Sequence, residues 1–131
     1  CTVARAAPPM SEASLTDFAC FEAARTSKEV SACFHRSSGV HERKLASLLR
    51  ELDTTLDVSQ ANAIRALVGQ WNRVTVRHCS WEREFYKDKR VARDVFASCI
   101  SEHTAARIRR LKRFVCDDAG SAGPCDASQK Y

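Results

Sequence analysis

Seven cysteines and four histidines hold most of the reactive chemistry open to this chain. Two combinations stand out by spacing: His78 beside Cys79, and Cys99 four residues before His103. Consecutive helical residues point about 100° apart, so His78 is badly placed to act as a base on Cys79. Cys99 and His103, at i and i+4, share a helical face in the manner of two metal ligands. A Cys99 held in a disulfide would offer no thiolate, however, and the chain is expected to carry no metal and no cofactor. No Gly-x-Ser-x-Gly elbow, His-Glu-x-x-His pair or glycine-rich phosphate loop occurs,. The acidic residues Glu82, Glu84 and Asp88 alternate with Lys and Arg, which suits a solvated face better than a carboxylate dyad. With no catalytic constellation, the chain is expected not to be an enzyme.

The cysteines themselves point elsewhere. No Cys-x-x-Cys knuckle is present to suggest zinc or dithiol redox chemistry, so the economical reading is an exported, disulfide-bonded protein. Seven is odd, and Cys1 is set apart as a lipid-attachment site, because bacterial lipoproteins are cut immediately before a cysteine that then takes the lipid. That leaves Cys20, Cys33, Cys79, Cys99, Cys116 and Cys125 for three bridges. The expected location is the bacterial periplasm, anchored by lipid. Thr2, where an Asp would favour inner-membrane retention, leans toward the outer membrane.

A chain of 131 residues with 44% apolar composition suffices for one core but not two,. Only four Gly and three Pro argue for helix,. No run approaches eighteen apolar residues, so no bilayer-spanning helix is expected. Residues 1–17 lack an apolar period and read as a flexible tether with a reach of roughly 50 Å, followed by a single helical domain over 18–131. Thr26 and Glu29 have capping-box spacing and start a short helix near residue 27, which Ser37-Ser38-Gly39 should end. Leu45, Leu48, Leu49, Leu52 and Leu56 form the stripe of a second helix. Asp57 or Ser59 can cap a third, with Ile64, Leu67, Val68, Trp71 and Val74 or Thr75 in period. Gly69 inside it costs about 1 kcal/mol relative to Ala, which a close helix crossing would offset. A last helix from about Asp88 to Cys116 has Phe96, Cys99, Ile100, Thr104, Ile108, Leu111 and Val115 as its stripe. The fold class is therefore all-α: a small disulfide-stapled bundle of three to four helices with a long C-terminal helical hairpin.

If that hairpin turns near residue 89, Cys79 and Cys99 each lie ten residues from the turn. At 1.5 Å per residue they sit at one height on facing helices, within bridging range. Cys20 with Cys33 and Cys116 with Cys125 complete a set, chosen from fifteen possible connectivities that spacing alone does not separate. Residues 64–113 carry 13 Lys or Arg against 5 Asp or Glu, whereas residues 21–63 balance at 6 against 6. A basic hairpin on an exported chain with few interleaved aromatics does not suggest nucleic acid.

The run "FACFEAARTSKEVSAC", with Phe18 and Cys20 ahead of Ala23, Thr26, Glu29 and Cys33, resembles the opening motif of the LprI-type lysozyme-inhibitor family. Trp71 eight residues before Cys79, Glu82 three after it, and the series Cys99, Thr104, Arg107, Leu111 extend the likeness over about residues 18–116. Val68 and Thr75 stand where that family usually has Gln and Arg. The resemblance implies a small helical envelope protein that blocks lysozyme, with Thr26, Glu29, Trp71, Thr104 and Arg107 as structural motif residues. It implies a protein partner, a peptidoglycan hydrolase; the basic balance, which would repel a strongly basic lysozyme, extends this to a secreted antibacterial effector, and the membrane link is expected through the lipid on Cys1 only.

Lysozyme-type hydrolases work with two carboxylates in an open cleft, which a cationic loop on a rigid bundle could fill. Two stretches qualify: "FHRSSGVH", with His35, Arg36 and His41, and "YKDKR", with Tyr86, Lys87, Lys89 and Arg90. Tyr86 and Arg90 are favoured as anchors by residue type. The competing expectation is an envelope lipoprotein that binds anionic cell-wall or lipid groups through the basic hairpin, weakly and with strong salt dependence.

Overall fold

The computed structural model describes residues 12–116, which form four helices. These are α1 (Glu12–Ala23), α2 (Ser27–Thr55), α3 (Val58–Arg83) and α4 (Lys89–Cys116). No strand occurs among the described residues. Cys1, Cys125 and therefore the Cys116 to Cys125 pairing lie outside them. α1 begins at Glu12, within the stretch read as a tether.

The helix starts follow from side-chain acceptors that satisfy the first free amides. At α2, Thr26 Oγ1 accepts from the Glu29 amide at 3.2 Å while Glu29 Oε2 accepts from the Thr26 amide at 2.9 Å. Asp57 and Gln60 form the same reciprocal box at α3, and Ser59 takes no part in it. At α4, Asp88 Oδ1 accepts from the Arg90 and Val91 amides at 2.8 and 3.1 Å. The amides of Arg25 and Thr26 hold the Glu29 carboxyl below the usual carboxylate range, and those of Val91 and Arg90 do the same for Asp88. Both groups therefore favour the folded state above the ordinary carboxylate range, and that contribution is lost as the pH falls through their lowered values.

One expected break is absent. α2 is continuous from Ser27 to Thr55, straight through Ser37-Ser38-Gly39. The turn signal is overridden by a contact made far away in sequence: Ser37 is buried, with its hydroxyl 3.0 Å from Ser101 Oγ on α4. A Cβ at Gly39 would meet only the end of the Arg43 side chain, at 3.3 Å. Glycine's cost of about 1 kcal/mol in a helix is smaller than the burial gained by keeping α2 in one piece along α4.

α4 runs parallel to α2, with Ser31 hydrogen-bonded to Asp94 and Ser37 to Ser101, and antiparallel to α3. Its broadest contact is with α2. Leu45, Leu48, Leu52, Val68, Ile108 and Leu111 make the core, with Leu49, Leu56, Ile64 and Trp71 packed at its edge. In α3 the period is carried by Thr75, which is buried, and not by Val74, which is 67% exposed. In α4, Ala97 and Ser101 are buried where Phe96 and Ile100 are only half-buried.

Gly69 does not serve a close helix crossing, because a Cβ there would meet nothing within 4 Å. The open space turns the position into a simple propensity site. Gly69→Ala is expected to raise stability by about 0.5–1 kcal/mol, read as a higher urea midpoint at unchanged slope.

Candidate protein-binding site

The α3–α4 hairpin tip is built from three local features. α3 closes with tightened turns, in which the Glu84, Phe85 and Tyr86 amides donate to the Trp81, Glu82 and Arg83 carbonyls at 3.1 to 3.3 Å. Asp88 then caps α4, so both ends of the short connection are pinned. Behind it the Cys79–Cys99 disulfide joins the helices with their Cα atoms 5.6 Å apart. A second disulfide, Cys20–Cys33, ties α1 to the first turns of α2.

On this braced tip sit three large aromatics that the fold does not bury: Trp81, Phe85 and Tyr86, at 57%, 70% and 47% exposure. Trp81 and Phe85 meet edge to face, with ring centroids 4.9 Å apart. Lys87, Lys89 and Arg90 are exposed beside them, and the Arg83 guanidinium lies over the Phe96 ring at 4.9 Å. Clustered exposed aromatics keep apolar surface in water, which a free monomer has no reason to do. Together with flanking cations they have the composition of a binding hot spot.

The structure thus brings Tyr86, Lys87, Lys89 and Arg90 onto one tip. It does not do so for His35, Arg36 and His41, because the stretch read as a loop is the middle of α2. His35 Nε2 lies 3.7 Å from Asp94 Oδ1, and His41 Nδ1 lies 2.7 Å from Ser101 Oγ. His35 borders an open groove of about 720 Å³ between α2 and α3, while His41 faces a different depression beside Phe21 and Phe34. They form no common surface.

The sequence does carry a signal for Trp81 and Phe85, which composition alone hides. At 100° per residue they fall about 200° and 240° round the helix from Cys79, on the side away from the apolar stripe.

The remaining motif residues hold the frame together. Arg107 on α4 donates to the Trp71 carbonyl at 2.8 Å, to Asn72 Oδ1 at 3.0 Å and to Thr75 Oγ1, with its guanidinium 5.1 Å from the Trp71 ring centre. Burial lowers the Arg107 pKa, but guanidinium keeps its proton over any ordinary pH,. Thr104 is buried, and Thr26 and Glu29 form the α2 cap. As for metal-ligating groups, nitrogen atoms of His78 and His103 and the Cys99 sulfur gather within 4.8 Å of one another.

A family model described as lysozyme inhibitor LprI matches residues 20–111, from the cysteine that ties α1 to α2 to the last fully buried core leucine. No curated protein and no solved structure matches the chain.

Proposed function

Because the chain belongs to the LprI lysozyme-inhibitor family, we propose that it binds a lysozyme-type peptidoglycan hydrolase and blocks it by inserting the α3–α4 tip into the substrate cleft. The observation that supports this most is the exposed Trp81–Phe85–Tyr86 cluster, flanked by Lys87, Lys89 and Arg90 on a tip braced by a disulfide. Such clefts bind sugar rings, which stack on aromatic faces, and hold an acid–nucleophile pair of carboxylates. The aromatics would take the place of sugar, and the cations would pair with the carboxylates. A tip already rigid loses little conformational entropy on docking. Its positive charge favours a target with an acidic cleft and little net basic charge, as would suit an effector delivered by a rival cell. In the envelope, attachment through Cys1 would hold the inhibitor where such an enzyme arrives.

The test is gel filtration and an activity assay of the full chain against a panel of lysozymes and secreted cell-wall hydrolases. A one-to-one complex that abolishes hydrolysis and persists at about 0.3 M salt is the expected result. Binding only to peptidoglycan or anionic vesicles, lost over the same salt range, would replace this reading with that of an anionic-surface binder.

A further inference from the structure

His78 on α3 and His103 on α4 bring two imidazoles together across the hairpin, edge to face, with ring centroids 5.3 Å apart. Their nitrogens fall within 4.8 Å of each other. One turn along α3, Glu82 Oε1 lies 2.8 Å from His78 Nε2. The nearby Cys99 sulfur is bonded to Cys79 and offers no thiolate, so the donors that meet across the hairpin are the two imidazoles, with the Glu82 carboxylate hydrogen-bonded to His78 alone.

We propose that His78 and His103, with Glu82 hydrogen-bonded to His78 as its supporting carboxylate, form a binding site for a divalent transition ion of the zinc, copper or nickel class. Imidazole is a borderline ligand that selects these ions over calcium or magnesium, which demand oxygen. Zinc–nitrogen bonds of about 2.0–2.1 Å need the two rings to draw slightly closer, a small rotation for side chains at the protein surface. The disulfide fixes the helices one residue from His78 and four from His103, so the backbone is already held at the required spacing. Glu82 supplies the negative charge, through the carboxylate–histidine pairing common to such sites. The bound ion would cross-link α3 and α4 beside the disulfide and close to Trp81, whose ring lies 6.3 Å from that of His78.

The test uses the full oxidised chain with any free thiol alkylated, since a free thiolate would itself take zinc. Calorimetric titration with ZnCl2 should show one site with affinity in the micromolar range or tighter. His78→Ala and His103→Ala should each weaken it at least tenfold, and Glu82→Gln by about tenfold or more. Imidazole NMR signals of His78 and His103 should shift with zinc while those of His35 and His41 stay in place. All of these side chains lie at the surface, so circular dichroism should show the variants folded. No saturable binding at millimolar zinc, or a His78→Ala/His103→Ala double variant that binds like the parent, would overturn the proposal.

Discussion

Replacing Cys79 and Cys99 together by alanine is expected to lower the stability of the folded chain by about 3 kcal/mol, the chain-entropy figure for a closed loop of this size. The bridge closes a separation of 20 residues, and Cys79 is fully buried. Alanine leaves no stranded polar group, so the loss reports the cross-link together with a small cavity. Urea unfolding should show a lower midpoint. An unchanged midpoint would mean that α3 and α4 are held by packing and by Arg107 alone. A second consequence concerns the tip. Without the bridge, Trp81 and Phe85 ride on helix ends held by fewer contacts, and the entropy of ordering them returns at the moment of docking. Target affinity should therefore fall under conditions where circular dichroism still shows the helices formed.

The contrast between this hairpin and α2 shows what kind of information the sequence carries. Cys79 and Cys99 could be matched because both sit ten residues from a polar turn, and helix rise is fixed. The caps at Thr26 and Asp57 were legible for the same reason, as each depends on groups three residues apart. The continuity of α2 was not legible, because what overrides Ser37-Ser38-Gly39 is Ser101, on a helix 64 positions away. The same applies to His35 and His41, whose partners Asp94 and Ser101 both lie on α4. His78 and His103 likewise meet only once the register of the hairpin is known. The cationic half of the tip could be read from "YKDKR", since charged turns are exposed by default. Tyr86 was legible in the same turn, but Trp81 and Phe85 could not be read from composition, because large aromatics are buried by default and only helical phase places these two outside the stripe.

The two aromatics outside the stripe carry the largest expected effect on binding. Trp81→Ala combined with Phe85→Ala should weaken the complex with the target hydrolase by about 3 kcal/mol or more, over 100-fold in affinity. Both side chains are more than half exposed in the free chain, at 57% and 70%, so their removal should leave the urea midpoint nearly unchanged,. Binding and stability then separate, which a merely structural role for the pair would not allow. The rings touch edge to face, so each single variant is expected to lose most of what the double variant loses,. Removing the cations should read differently. Lys87→Ala with Lys89→Ala is expected to slow association and flatten its salt dependence, with little change in the dissociation rate, because exposed charges steer the encounter more than they hold the complex. Surface plasmon resonance of both variants over a salt series separates the two contributions. A Trp81/Phe85 variant that still binds like the parent would move the inhibitory surface away from the tip, and the basic faces of α3 and α4 would be the next to test.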